Sequence, residues 1–374
     1  KSSSTISAYP TWAFYNSCQE PFVFIDVFYI MNIAEGSPWR KHLFEEYQSA
    51  ISMMGFSGIH MDTYGFPKTA YSHLDAIPKK IKLENELPTL IDETRENVHG
   101  EEEPYLIFNN VGAWPVQRTA DRKQDAVYIE VWPPYDRYAS IAQLIRDART
   151  YAKDDKSTIL AAYLKPFREG KREKALPAAK LLMGSIVSNG ATHLLTGENQ
   201  TALTQGYYSD YTKFSDSEAE AIRRYYDYMI RYENLFFDPE LQDVTMTHTG
   251  WDNYEYQCTS HKVSSYGEAG KIWMILREKD YRKCIYLLNL CGQSEDYWNE
   301  GKEEPNIQKD IKFTVQVDTP VEKICFSTPD GENMDAIELS FTERATKTGK
   351  FIDFTVPSLN YWTTIWIDTR KETI

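Results

Sequence analysis

The sequence predicts an α/β fold, the later strands of a (β/α)8 barrel (roughly the third to the eighth), followed by a C-terminal antiparallel β-sandwich. Up to about residue 240, short apolar runs alternate with amphipathic segments, a pattern typical of parallel strands joined by helices. Polar residues follow several of these runs, as at the catalytic face of a barrel. From about residue 271, apolar runs separated by Gly, Asp, Asn and Pro continue without helices, which indicates a sandwich. We therefore expect a catalytic domain over 1–240 and a sandwich domain over 241–374.

The elements of the first domain follow from local signals. An apolar run at 22–32 is a possible first strand, and Ser37-Pro38 supplies an N-cap and first-turn proline for a helix that reaches Ile51. Ser215 and Glu218 form a capping-box pattern. The remaining predicted strands lie at 55–62, 104–112, 125–132, 157–166 and 193–199, and the remaining helices at 80–98, 140–152, 175–190 and 215–235.

The number of predicted strands is smaller than a closed barrel requires. Five strands lie between Gly58 and Asn199, with the run at 22–32 as a possible sixth, whereas a (β/α)8 barrel has eight. An uncovered edge of a parallel sheet is unfavourable. We expect the first strands to be supplied by a separate N-terminal polypeptide or by association. The opening KSSSTIS lacks Met and indicates a processed or trimmed chain.

Composition narrows the possible functions. A net charge of −14 disfavours nucleic acid as a partner, and no apolar run is long enough for a membrane span. Aromatic residues make up 14% of the chain, which favours aromatic core packing and leaves a sugar-binding cleft as the alternative. The five cysteines cannot form a complete disulfide set; free thiols are expected, with a pairing of Cys284 and Cys291 left open. No metal-ligand spacing and no cofactor motif occurs.

Two predicted strands each deliver one acid at the carboxyl end. GFSGIHMD ends at Asp62, and DAVYIEVW carries Glu130 near its end. Two carboxylates in one pocket are the minimum machinery for cleaving a glycosidic bond. An ionised Asp62 suits a nucleophile, and Glu130, among Tyr128 and Trp132, suits a general acid that later activates water. Solvated strand ends or helix caps are the alternative interpretation of either acid alone.

These segments resemble glycoside hydrolase family 66, which contains endo-dextranases and cycloisomaltooligosaccharide glucanotransferases. The resemblance extends through FNNVGAWP (108–115), YIEVW (128–132), the Gly197-Glu198-Asn199 run and RYYDYMIRYENLFFD (224–238). It implies that Asp62 is the nucleophile and Glu130 the acid/base of a retaining mechanism on α-1,6-linked glucan. It also implies a secreted, cell-surface or periplasmic bacterial enzyme.

Within that family, the sequence favours a dextranase. The transferases carry a carbohydrate-binding insertion after the seventh strand, and here the next helix begins within about ten residues of Lys165. A transferase remains the enzyme alternative, and a non-catalytic glucan-binding protein is the alternative from another class. Sugar contacts are expected from residues at or near carboxyl strand ends, namely His60, Tyr64, Asn110, Trp132, Tyr163, Lys165 and Glu198. His60 could instead be a core histidine, and Lys165 could pair with Glu198.

Overall fold

A computed structural model describes residues 6, 8–26, 28–153, 156–206, 212–250 and 252–370. The chain divides into two compact units, one made of residues 1–132 and 147–159 and the other of residues 133–146 and 160–374. None of the helices in the described ranges is both long enough and apolar enough to cross a bilayer.

The first unit begins with a small hairpin rather than a strand of the main sheet. Strands β1 (Val23–Phe24) and β2 (Phe28–Tyr29) pair with each other in antiparallel fashion. The prediction of one continuous strand at 22–32 was wrong, because Ile25 and Asp26 adopt positive φ angles of 47° and 58° and turn the chain back.

The first long helix has the ends that the sequence predicts. Helix α1 (Pro38–Met54) starts after Ser37, whose side chain accepts a hydrogen bond from the Trp39 backbone N–H. It ends at Gly55, which takes the left-handed conformation (φ 70°) that favours glycine at a C-cap. Strand β3 (Gly58–Met61) follows three residues later, so the turn after α1 aims the chain into the sheet.

The connection after β3 differs from the predicted helix at 80–98. Strands β4 (Thr69–Ser72) and β5 (Lys79–Lys82) form a second antiparallel hairpin, and helix α2 (Leu83–Asn97) begins only after it. Alternation in KKIK, with only Ile81 buried, is the strand signal that the longer helical pattern concealed. Strand β6 (Tyr105–Val111), the short helix α3 (Val116–Thr119) and strand β7 (Ala126–Glu130) complete the sequence of elements up to the carboxylate at 130.

The main sheet has five strands in the order β3, β6, β7, β8 and β9, where β8 is Ser157–Ala161 and β9 is Ala191–His193. Strand β6 pairs in parallel with β3 on one side and β7 on the other. In the first unit, apolar side chains of β3 and β6 pack against α2 in a core that contains Phe14, Met61, Leu87, Leu90, Ile91, Leu106 and Phe108. An α/β fold with a five-stranded sheet is therefore confirmed.

The second unit continues with helices and then changes to antiparallel strands. Helix α4 (Tyr138–Tyr151) has residues assigned to both units, and α5 (Ala175–Ser188) is buried along most of its length. The predicted strand at 193–199 was wrong in its extent, because β10 (Thr196–Gly197) turns back onto β11 (Thr201–Ala202). Helix α6 (Asp216–Arg231) carries the complete capping box of Ser215 and Glu218, and α7 (Glu233–Phe236) is the last helix in the described residues.

The C-terminal strands form two antiparallel sheets with a shared apolar core, as the sequence predicts. One sheet has the antiparallel order β12 (Gln242–Asp243), β15 (Ile272–Lys279), β16 (Arg282–Asn289), β22 (Trp362–Thr369), β18 (Val321–Ser327) and β19 (Ile337–Leu339). The short strand β14 (Val263–Ser264) adds to β15 in parallel. The other has the order β13 (Tyr256–Cys258), β17 (Gln308–Val317), β21 (Gly349–Leu359) and β20 (Phe341–Thr346). Alternate residues of both sheets, such as Ile285, Phe313 and Ile352, fill one core. All five cysteines are free, so Cys284 and Cys291 do not pair.

Candidate active site

The register of three parallel strands brings Asp62 and Glu130 to the same end of the sheet. Met61 pairs with Phe108, so Asp62 is level with Asn109 on the neighbouring strand. Asn109 pairs with Tyr128, and Glu130 lies two residues further along on the same face. The central strand β6 therefore presents the Asn109 side chain between the two acids.

The amide of Asn109 connects the two carboxylates. Its Nδ2 donates to Asp62 Oδ1 at 2.8 Å and to Glu130 Oε2 at 3.0 Å. Asn109 is 4% exposed and Glu130 is 8% exposed, whereas Asp62 is open to solvent. One side chain thus holds a buried acid and an exposed acid close together.

Each carboxylate keeps one oxygen that is not used in this arrangement. Asp62 Oδ1 also accepts the Thr63 backbone N–H at 2.9 Å, so two donors stabilise its negative charge. Within the described ranges, no hydrogen bond reaches Asp62 Oδ2 or Glu130 Oε1. These two oxygens are the ones available for chemistry.

The charge of Asp62 affects two neighbouring titratable side chains. Burial and, to a smaller degree, the negative charge of Asp62 raise the pKa of Tyr47 to about 12, so its phenol stays protonated. Partial burial of the imidazole lowers the pKa of His60, although the residue keeps an exposed face, and the Asp62 charge only partly opposes this effect. Both neighbours are therefore neutral at pH 7, and the site carries the charge of its carboxyl groups without a nearby cation from either residue.

An apolar pocket lies on one side of Asp62 within the first unit. Its polar members include Asp62, Thr63 and Tyr47. Most of its other walls are apolar side chains from β2, α1, β3, α2, β6 and the loops beside them, among them Tyr29, Met31, Leu43, Met61, Leu83, Leu87, Leu90, Phe108 and Trp114. A concave, mostly apolar pocket with a few polar groups in its lining is the usual form of a small-ligand site.

The predicted sugar contacts in the first unit occupy different environments. His60 and Tyr64 are solvent-exposed; the His60 ring lies 4.6 Å from that of Tyr128, and the Tyr64 ring stacks on Phe24 at 4.1 Å. Trp132 is also exposed, two residues beyond Glu130. These three side chains are accessible to a ligand.

Asn110, which the sequence suggested as a sugar contact, lies inside the protein. It is fully buried, and its Nδ2 donates to the carbonyl of Tyr128 at 2.8 Å while its Oδ1 accepts from Thr119 at 2.6 Å. Its amide therefore links β6, β7 and α3, and a sugar could reach it only by displacing those bonds.

The other predicted contacts belong to the second unit. Tyr163 is 9% exposed, and Glu198 is exposed at the start of a short 3-10 turn. Lys165 pairs with Glu300, with 2.5 Å between Nζ and Oε1, rather than with Glu198 as the sequence suggested. Its backbone N–H donates to Asn299. Lys165 is thus engaged by a loop of the same unit that is distant in sequence.

Asn109 is the functional residue that sequence reasoning missed. The pair Asn109-Asn110 offers two adjacent amides, and alternation along a strand sends them to opposite faces. The position along the strand distinguishes them, because Asn109 lies level with Asp62 and on the same face as Glu130. Recognising this requires the register of β3, β6 and β7. Among the residues that the structure describes, no group of three or more His, Cys, Asp or Glu side chains is placed to hold a metal ion.

Two carboxylates held close together at the carboxyl ends of parallel strands are an arrangement that glycoside hydrolases use. The chain belongs to glycosyl hydrolase family 66, whose family model matches residues 11–366. Two cycloisomaltooligosaccharide glucanotransferases from Niallia circulans are similar to it, with 28% identity over 193 residues and 26% over 191. Each match covers about half of this chain and 19% of the relative.

Solved structures are similar in fold. A cycloisomaltooligosaccharide glucanotransferase from a Paenibacillus species, complexed with cycloisomaltoheptaose, superposes with a TM-score of 0.84 at 16% identity, over 96% of this chain and 71% of that one. A maltogenic α-amylase from Thermotoga neapolitana gives a TM-score of 0.54 at 9% identity, over 98% of this chain and 74% of that one. At these identities the likeness concerns the fold alone.

Proposed function

We propose that this chain carries the catalytic pair of a retaining glycosidase that cleaves internal α-1,6 linkages of dextran through a covalent glycosyl-enzyme intermediate. The observation that carries the proposal is the single Asn109 nitrogen that bonds both Asp62 and Glu130. Family membership supports the reaction class. Asp62 is the nucleophile and Glu130 the general acid/base.

The separation of the two acids favours retention over inversion. Asp62 Oδ1 and Glu130 Oε2 lie 2.8 Å and 3.0 Å from the same nitrogen, so they cannot be farther apart than those two distances laid end to end. That limit on the two bonded oxygens accommodates the roughly 5–5.5 Å typical of retaining pairs and supports retention as the proposed outcome. An inverting enzyme needs the larger gap for a water molecule between the base and the sugar.

The environments of the two acids support their separate roles. Asp62 is accessible, and its two N–H donors bond Oδ1 and leave Oδ2 open for attack on an anomeric carbon. Glu130 is buried at the end of β7 and shares the Asn109 nitrogen with Asp62, so it lies close enough to the nucleophile to serve the leaving oxygen of the same bond. In the second step the same Glu130 oxygen would take a proton from the attacking water, so that both steps share one site.

The second candidate is a cycloisomaltooligosaccharide glucanotransferase, which the names of the two curated relatives and of the solved structure favour. The same acids would serve, with a sugar hydroxyl in place of water as the acceptor. The short path from β8 to α5 favours the hydrolase, because it contains only two 3-10 turns, Lys165–Phe167 and Arg172–Lys174, and no added module.

Incubation with dextran separates these functions. The proposal predicts new reducing ends and linear oligosaccharides, whereas cyclic products without reducing ends as the main product would favour the transferase. Asp62→Asn and Glu130→Gln should each abolish turnover while dextran binding persists. Binding without turnover by the unaltered protein would instead identify a glucan-binding protein.

Three broader expectations belong to the same proposal. The five-stranded parallel sheet supports a complete (β/α)8 barrel in the working enzyme. Completion of the sheet by association with another polypeptide stays a prediction, testable by co-purification from the source. Secretion also stays a prediction, and it rests on the polymeric nature of the proposed substrate.

A further inference from the structure

The Asn109 amide has an unusual distribution of hydrogen bonds. Both N–H groups of its Nδ2 are used, one by each carboxylate. Its Oδ1 is buried and has no hydrogen-bond partner. Rotating the amide would place that oxygen against two carboxylate oxygens, so the chemistry of the site fixes the orientation with nitrogen toward the acids.

A buried acceptor without a partner is unfavourable for folding, and it calls for an explanation. Asn110, the next residue, shows the ordinary arrangement: its Nδ2 and its Oδ1 are both bonded within the protein. The contrast between these neighbours indicates that the side chain at 109 serves the acid pair rather than the packing of β6.

We infer that Asn109 is a positioning residue that clamps one oxygen of each catalytic carboxyl and leaves Asp62 Oδ2 and Glu130 Oε1 free for the two chemical steps. This inference rests on the proposed function for its kinetic meaning. The two N–H donors offset the repulsion between the acids and fix the rotation of both groups. The clamp acts through Asp62 and Glu130 and need not touch the substrate.

The titratable side chains next to Asp62 do not provide a positive charge that could hold the two acids together in place of Asn109. Tyr47 on α1 and His60 on β3 are the side chains whose titration responds to the Asp62 charge, and Tyr128 lies against His60. The Tyr47 phenol and the His60 imidazole are uncharged at pH 7, so neither supplies a positive charge to hold the acids together.

The first test needs no substrate. Carbon-13 NMR at one fixed pH compares the carboxyl resonances of Asp62 and Glu130, assigned with Asp62→Asn and Glu130→Gln, in the unaltered protein and in Asn109→Ala. Loss of the shared donor should change the chemical shifts of both carboxyl carbons, because one hydrogen bond to each group is removed. Unchanged chemical shifts for both groups would overturn the clamp whether or not the protein cleaves dextran.

The second test measures turnover of dextran. Asn109→Ala should lower kcat by roughly 100-fold with KM changed less than about threefold, and move the pH profile toward higher pH. Asn97→Ala, an exposed asparagine at the end of α2, is the matched control and should retain full activity. If Asn109→Ala does not fold, Asn109→Thr keeps a side chain suited to a strand but cannot donate to both acids.

The outcomes of these tests are separable. A folded Asn109 variant with normal kcat and an unmoved pH profile would overturn the positioning role. Absence of any glycosidase activity in the unaltered protein would instead overturn the proposed function, while the comparison of carboxyl chemical shifts still decides whether the clamp exists.

Discussion

The assignment of roles to Asp62 and Glu130 predicts opposite stereochemical outcomes for two alanine variants rescued by azide. In Glu130→Ala the nucleophile keeps its hydrogen bonds from Thr63 and Asn109, so a glycosyl-enzyme can still form on an activated aryl α-glycoside. Azide then attacks that intermediate and gives an α-glycosyl azide. In Asp62→Ala no intermediate forms, and azide attacks the substrate directly to give the β-azide.

The expected loss follows from what each side chain provides. Removal of Glu130 eliminates proton transfer to the leaving oxygen, which contributes about 10²–10⁴-fold, or about 3–5 kcal/mol of barrier. Dextran, with a poor leaving group, should show that full loss. An aryl glycoside whose phenol leaves without protonation should lose less than about tenfold in the first step, because Asp62 is intact.

The assay is product analysis by proton NMR together with initial rates at increasing azide concentration. Rescue of Glu130→Ala with a retained α-azide, and of Asp62→Ala with an inverted β-azide, is the expected pair of results. The reasoning would be refuted if both variants gave the same anomer, or if the aryl glycoside and dextran lost activity equally in Glu130→Ala. Asn97→Ala should show neither the loss nor the rescue.

Three further predictions concern the stability of the second unit. Burial lowers the pKa of His193 to about 4, below its ordinary value near 6.5. Between these two values the unfolded chain binds a proton that the folded chain does not, so the free energy of unfolding decreases as the pH drops from about 6.5 toward 4. Denaturant unfolding should show a contribution of about 2 kcal/mol between pH 7 and pH 5 that is absent in His193→Gln and still present in the surface variant His99→Gln. Ser215→Ala removes the side-chain acceptor of the α6 capping box and should lower the free energy of unfolding by about 1 kcal/mol, with an unchanged value arguing against the cap. Gly184→Ala would gain about 1 kcal/mol of helix propensity but would place its Cβ 2.7 Å from Leu288 Cδ1 and 3.1 Å from Trp362 Cγ, so a net loss of about 1–2 kcal/mol is expected and a raised melting temperature would contradict it.

The sequence predicted the elements whose signals are local. Ser37-Pro38 and the Ser215–Glu218 capping box mark helix starts that the structure reproduces, because a cap depends on a few neighbouring residues. The apolar runs before Asp62 and Glu130 became strands β3 and β7 for a similar reason. These local signals were sufficient to predict that Asp62 and Glu130 lie at strand ends.

The parts that were missed depend on register or on distant segments. Asn109 and Asn110 look equivalent in sequence, and only the pairing of β6 with both neighbours decides which of them faces the acids. The partner of Lys165 is Glu300, 135 residues away, which no local pattern indicates. The hairpin at 23–29 was concealed because Ile25, a residue that disfavours positive φ, occupies its turn.

Mechanism-based labelling of Asp62 tests the central claim most directly. An activated fluoro-glucosyl substrate forms the glycosyl-enzyme quickly but hydrolyses slowly, so the intermediate accumulates and can be located by mass spectrometry of peptides. The account predicts one sugar attached to the peptide that contains Asp62, and no label in Asp62→Asn. A label on Glu130, or turnover to an inverted product with no covalent adduct, would contradict it.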